Sequence, residues 1–285
     1  MKLERPIAFV FSGGASLGAL QVGMLKAVEE SGITPDILVG CSAGALNAAW
    51  MGVDYSSTQI QILENFWKSL TTKKVFPDIL KQSLLTFVRG AGDAIASHRG
   101  VQELISSNYP QNFAKLKIPT HIIASDLGTG SPTDLKEGDL HLSLLASTAI
   151  PGIFPAVKIG IQDFVDGALT AHLPLSLALD LDVKTILVFD SSYPCSLKKI
   201  PVNYLPKLLY MLTIMIQQQS RCSFELCKEK GVSLIYLPVP CPLSVLPHDF
   251  SQAAKLIEDS YQLTRNFLSA NKNFISGFIG HPHIH

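Results

Sequence analysis

The chain opens by writing the same unit twice, a short apolar run, a small-residue turn and a helix-forming segment, and nothing else in it limits the possible folds as much. Ile7 to Phe11 is apolar and is closed by Ser12-Gly13-Gly14. Beyond that turn Leu17, Leu20, Met24, Leu25 and Val28 recur at helical spacing as far as Gly32. Asp36 to Gly40 forms the second short run, and the alanine-rich segment Ala43 to Met51 follows it with high helix propensity. Strand, helix, strand, helix in this order builds a parallel sheet with right-handed crossovers. Ile118 to Ser125, Thr185 to Asp190 and Ser233 to Pro238 read as further buried strands, and Ser251 to Leu268 as a late amphipathic helix. The expected class is α/β.

At 285 residues the chain lies near the upper end of what one hydrophobic core organises, which favours one large domain. Residues 5–200 are expected to hold the core, with residues 55–115 mainly helical and placed to cap the sheet end. Residues 201–270 add helices and a strand to the same domain, and residues 271–285 form a tail. His281, His283 and His285 alternate in that tail and could bind a metal weakly if extended, but it reads as a frayed end. There is no internal repeat and no low-complexity linker.

Only 16% of the residues are charged, against roughly 25% in average globular proteins, and 47% are apolar. That surplus suits a large sheet buried on both faces, and it also suits contact with lipid. Lys and Arg together number 23, as do Asp and Glu, with no like-charge block, which excludes a nucleic-acid partner. Five irregularly spaced cysteines without a C-x-x-C pair do not form a disulfide framework, and reduced thiols in the cytoplasm are the simplest account. The apolar run near the N-terminus stops at Ser12-Gly13, too short for a signal-peptide core. Leu208 to Ile216, the longest apolar stretch, falls well below the ~20 residues a spanning helix needs, so only peripheral membrane contact stays open.

Gly40-Cys41-Ser42-Ala43-Gly44 satisfies G-x-S-x-G between an expected strand and an expected helix, where the motif has mechanical meaning. Small neighbours let the chain turn sharply and present the Ser42 hydroxyl beyond the sheet. The helix that follows adds a dipole favouring negative charge near the serine. Ser12-Gly13-Gly14-Ala15-Ser16-Leu17-Gly18 lies at the end of the adjacent strand, so its amides, with that of Ala43, could form an oxyanion hole for Ser42. The alternative is a phosphate-binding loop. Ala19-Leu20 stands where a Walker loop needs Lys-Ser/Thr, and the second strand ends without the acidic residue of a dinucleotide site. A serine alcohol also needs a base. Asp166 in Phe164-Val165-Asp166-Gly167-Ala168 is the candidate, although Asp-Gly by itself reads as a turn.

The glycine-rich Gly13 to Gly18, the Gly40 to Gly44 elbow, the run Ala146-Ser147-Thr148-Ala149-Ile150-Pro151-Gly152-Ile153-Phe154-Pro155 and Asp166-Gly167-Ala168 occur in the order seen in the patatin-like phospholipase family. The chain resembles that family over about residues 5 to 190. The resemblance implies a three-layer fold with a mainly parallel central sheet flanked by helices. It implies a Ser42–Asp166 dyad without histidine, an oxyanion hole from the amides of Gly13, Gly14 and Ala15, and hydrolysis of lipid acyl esters without metal or cofactor. Two positions depart from the pattern. Ala15 replaces the third loop glycine, which keeps the N–H and matters only if a positive φ is required. Leu17 replaces a basic residue, which removes a partner for an anion and leaves phospholipid and neutral ester both open.

Two rivals and two subsidiary expectations stand beside this reading. An α/β-hydrolase triad would use His248, whereas His98, His121, His141 and His172 read as loop or packing residues. A non-catalytic lipid-binding module is the second rival. Leu205 to Ile216 reads as an outer-layer helix, with an interfacial helix or pocket wall as the alternative, and the surplus of Leu, Ile and Phe in residues 60–90, Leu84 and Phe87 among them, could line an acyl channel.

Overall fold

The computed structural model describes residues 2–77, 94–192, 204–241, 243 and 245–282. Its strands are β1 (Ile7–Phe11), β2 (Ile37–Cys41), β3 (Thr120–Asp126), β4 (Ser131–Leu135), β5 (Val157–Ile159), β6 (Gln162–Asp166), β7 (Thr185–Phe189), β8 (Ser233–Tyr236) and β9 (Phe278–Ile279). Its helices are α1 (Ala19–Glu30), α2 (Ala43–Val53), α3 (Ser57–Ser69), α4 (Thr72–Val75), α5 (Arg99–Asn108), α6 (Leu140–Ser147), α7 (Ala168–Ala171), α8 (Leu175–Leu179), α9 (Tyr204–Lys230) and α10 (Ala253–Ala270).

The strands form one sheet in the order β5-β6-β3-β2-β1-β7-β8-β9, with β4 also paired to β3. Neighbours from β3 to β9 run parallel, as the repeated strand-helix unit demands. Beyond β3 the sheet turns antiparallel. Every residue of β1 is buried, because strands flank it and helices cover both its faces. Alternate side chains still serve different layers. Phe9, Phe11, Leu38, Leu187 and Phe189 face a core built with Leu20, Met24 and Leu25 of α1, Ala45 of α2 and Ile257 of α10. Ala8, Val10, Val39, Cys41, Ile186 and Val188 face the opposite core with Leu175 of α8 and Phe224 and Cys227 of α9. Each fully buried Phe or Leu contributes about 1.5–3 kcal/mol by leaving water. The central rings also stack, Phe11 on Phe189 with centroids 4.5 Å apart.

One detail of β3 determines where chemistry can occur. Ile122 pairs with both Gly40 of β2 and Leu135 of β4, while Ala124 pairs with both Asp166 of β6 and Thr133 of β4. A strand has only two edges, so β4 occupies one and β2 and β6 share the other. They approach from opposite directions. β2 ends at Cys41 opposite Ile123, and β6 ends at Asp166 opposite Ala124.

The segment expected as a frayed tail is in part tied down. Phe278 and Ile279 pair with Leu234 and Ile235, covering an edge of β8 that would otherwise be open. His283 and His285 lie outside the described residues, as do Leu84 and Phe87 and the middle of the stretch expected as a cap. Among the described residues, no helix is long and apolar enough to cross a membrane.

Candidate active site

β2 runs directly into α2 through Ser42, whose backbone is forced to φ 54° and ψ −124°. Positive φ costs a non-glycine residue about 1–2 kcal/mol, and the surrounding packing must hold it. Two glycines make the turn possible. A Cβ at Gly40 would lie 2.4 Å from the Gly44 carbonyl oxygen, and one at Gly44 would lie 2.5 Å from the Ser12 carbonyl oxygen. The elbow therefore presses against the glycine-rich loop after β1.

The Ser42 hydroxyl donates to Asp166 Oδ2 at 2.6 Å, and both residues are buried. Asp166 is held from its other side too: Oδ1 accepts from the Ala168 amide at 2.8 Å and faces the Cys41 thiol at 3.9 Å. Gly167 follows because a Cβ there would meet the Ile123 carbonyl oxygen at 2.2 Å. Burial pushes the Asp166 carboxyl up, the hydrogen bonds from Ser42, Ala168 and Cys41 pull it partly back, and it comes to about 6. Burial and the neighbouring carboxylate push the Cys41 thiol the same way, so it stays protonated and donates.

Ser147, quoted above only as part of a run, has a defined task here. Its Oγ accepts the Ser42 amide at 2.9 Å and donates to the Ile123 carbonyl at 2.6 Å, bolting the strained residue to β3.

The loop Ser12 to Gly18 carries the expected oxyanion donors, and the structure divides them. The Gly13 amide donates to the His172 carbonyl at 3.1 Å, so one of the expected donors is already engaged. The amides of Gly14, Ala15 and Ala43 have no acceptor among the described residues. Ala15 adopts φ 50°, so the condition under which its replacement of glycine matters is met. Leu17 is 1% exposed and packs in the core, leaving no charge at the position where the resemblance has a cation.

The histidines divide as well. His248 is exposed, and its carbonyl takes the Thr72 hydroxyl. His98 and His141 contact the carbonyls of Pro155 and Tyr109, and His121 pairs with Asp134. No histidine side chain bonds to Ser42 or Asp166 among the described residues. The His172 ring lies 3.1 Å from where a Gly13 Cβ would be, a point 3.2 Å from the Ser42 Cβ. Its Nε2 meets Ser192 Oγ at 2.9 Å, Ser192 reaches Asp190, and Tyr236 bonds the same carboxylate. Burial depresses the His172 imidazole to about 4, against the pull of Asp190, and keeps it neutral. Among the described residues no cluster of His, Cys, Asp and Glu could hold a metal ion.

A three-layer α/β fold with a strained serine at a strand-to-helix elbow, bonded to a buried aspartate, defines a class of protein. The chain belongs to the patatin-like phospholipase family, whose model matches residues 9–179. It is 25% identical over 188 residues to patatin-like phospholipase domain-containing protein 6 of Mus musculus, covering 65% of this chain and 13% of that protein. It is 28% identical over 189 residues to neuropathy target esterase sws of Drosophila melanogaster, again covering 65% of this chain and 13% of the relative. The chain thus matches a small part of the length of these relatives. The crystal structure of VipD from Legionella pneumophila aligns over 94% of this chain and 67% of that one, at 12% identity and a TM-score of 0.46.

Proposed function

We propose that this protein is a serine hydrolase of lipid acyl esters, with Ser42 as nucleophile, Asp166 as base, and the amides of Gly14, Ala15 and Ala43 as oxyanion donors. The observation that carries this reading is the 2.6 Å bond from the Ser42 hydroxyl to a buried Asp166 whose carboxyl lies at about 6. A base of that strength is ionised at neutral pH and still able to accept a proton in the transition state.

In acylation Ser42 Oγ attacks the ester carbonyl while its proton passes to Asp166. The carbonyl oxygen gains charge beside the α2 N-terminus and the free amides, each of which is worth about 3 kcal/mol in such sites. Collapse breaks the ester bond, and Asp166 returns the proton to the leaving alcohol. Water then attacks the acyl-serine, with Asp166 taking its proton and giving it back to Ser42 as the fatty acid departs. One ester and one water yield one acid and one alcohol, with no net change in the enzyme.

Membership in a family named for phospholipases and similarity to a relative named an esterase support a lipid-type substrate. Exposed apolar side chains support peripheral contact with lipid. Leu169 stands three residues beyond Asp166, and Met211, Ile214 and Met215 project from α9, which Gln219 ties to Thr170 and His172.

Hydrolysis of p-nitrophenyl acyl esters and of a mixed phospholipid extract tests the reading. Ser42→Ala and Asp166→Asn are each expected to lose at least about a thousandfold in kcat, and His248→Ala is expected to retain activity. Loss of activity in His248→Ala with retention in Asp166→Asn would replace the dyad by a triad. A folded wild type inert on every ester and unlabelled by a fluorophosphonate would favour a lipid-binding module instead.

A further inference from the structure

Three buried hydrogen-bonding side chains stand behind the glycine-rich loop, and none of them bonds to Ser42 or Asp166 among the described residues. Gln21 of α1 and Asn47 of α2 are both fully buried, at 0% exposure, in helices otherwise packed into the apolar core. Trp67 of α3 donates its indole N–H to Asn47 Oδ1 at 2.8 Å. Asn47 Nδ2 donates to Gln21 Oε1 at 2.7 Å and to the Gly18 carbonyl at 3.0 Å. Gln21 Nε2 in turn faces the Ser12 carbonyl at 2.8 Å, the Phe189 carbonyl at 3.0 Å and Ser191 Oγ at 3.0 Å.

The chain of bonds has only one direction. An indole N–H can only donate, so the Asn47 atom facing it must be the oxygen. That turns the Asn47 amide nitrogen toward Gln21, which must answer with its own oxygen. The Gln21 nitrogen is left pointing at carbonyls, which only accept. Each amide is thus locked in one orientation by groups at the ends that have a single role. The two ends of the loop, Ser12 and Gly18, are both carbonyl acceptors of this chain.

We propose that Trp67, Asn47 and Gln21 are positioning residues that fix both ends of the loop carrying the Gly14 and Ala15 amides, and so set the rate of the acyl transfer without contributing to substrate binding. This rests on the reading of that loop as the oxyanion site. Oxyanion donors stabilise charge only when already aimed at it, and an error of a fraction of an ångström is felt in turnover.

The test compares Trp67→Phe and Asn47→Asp with Ser260→Ala, which removes a buried hydroxyl bonded to the Leu20 carbonyl on the far side of α1. Trp67→Phe deletes the donor that orients Asn47, and Asn47→Asp replaces a donor facing Gln21 Oε1 with an acceptor. For each, kcat and KM on a p-nitrophenyl ester, the rate of fluorophosphonate labelling and the thermal midpoint are measured. The expected result is a fall of about ten- to a hundredfold in kcat and in labelling rate for the two relay variants, with KM within about twofold. Ser260→Ala should lose stability and keep its kcat. The proposal is overturned if folded Trp67→Phe and Asn47→Asp keep the wild-type kcat, or if kcat tracks the thermal midpoint across all three variants. Ser42→Ala separates the two levels: activity surviving there would sink the reading of Ser42 as nucleophile and of the loop as its oxyanion site, whereas a dead Ser42→Ala beside fully active relay variants would sink only the relay.

Discussion

Asp166 sits one pairing step beyond Cys41 on the same edge of β3, opposite Ala124 where Cys41 is opposite Ile123. The residue after Cys41 is Ser42, so the spacing of the pair is fixed by sheet hydrogen bonds and not by a loop. A carboxylate placed this way is buried by construction, and its environment can be tested directly.

The first test is pH. The base must be ionised to accept the Ser42 proton, and burial has moved Asp166 up to about 6. Activity is expected to be low below that value, to rise through it and to level off above, with kcat/KM reporting the free enzyme. Cys41→Ala removes a donor to the carboxylate and should move this acid limb toward higher pH. A limb near pH 4 in the wild type would mean that burial does not raise the Asp166 carboxyl in the free enzyme.

The same burial acts on stability. In the unfolded chain an aspartate ionises near ~3.9, and in the folded protein near 6, so ionisation is resisted only in the fold. The favourable contribution is complete below the unfolded value and disappears as pH rises through about 6. Above that, ionised Asp166 costs the fold on the order of 3 kcal/mol. Asp166→Asn should therefore unfold at a higher denaturant concentration than wild type at pH 8, with the gap closing toward pH 4. The inactive variant would be the more stable one.

Ala15 invites a gain in stability without loss of chemistry. Its φ of 50° suits glycine, and Ala15→Gly relieves that strain while retaining the amide. The expected gain, after the extra flexibility of the unfolded chain is set against it, is about 1 kcal/mol by denaturant titration. An Ala15→Gly protein less stable than wild type would mean that the Ala15 methyl contributes more by packing than its backbone costs.

Ser147→Ala strikes the bolt behind Ser42. The buried Ser42 amide would lose its acceptor and the Ile123 carbonyl its donor, a cost of about 1–3 kcal/mol. Both the thermal midpoint and kcat should fall, whereas Ser147→Thr, which keeps the hydroxyl, should retain more of each.

Much of this architecture is legible in the residues alone. The runs Ile7 to Phe11 and Asp36 to Gly40, each leading into a helix, fix two parallel strands and the elbow between β2 and α2, because local periodicity and turn chemistry agree there. The role of Asp166 is not legible in this way. Asp-Gly reads as a turn until β6 is seen docked end-on to β2, and no short-range pattern encodes that pairing. For the same reason sequence cannot separate Gly13 from Gly14, since the acceptor that occupies the Gly13 amide belongs to His172. Gln21 did carry a signal, a lone polar residue between Leu20 and Val22 in an apolar helix, but its partners come from three other segments.

The shared edge of β3 also orders events in time. Ser42 is synthesised before the carboxylate that would activate it, which belongs to a strand made after more than one hundred further residues. A nascent chain that has reached only β5 carries a serine whose proton has nowhere to go. On the proposed dyad, reactivity toward an acyl ester would therefore switch on only when β6 closes against β3, and a chain stopped short of β6 would be chemically silent.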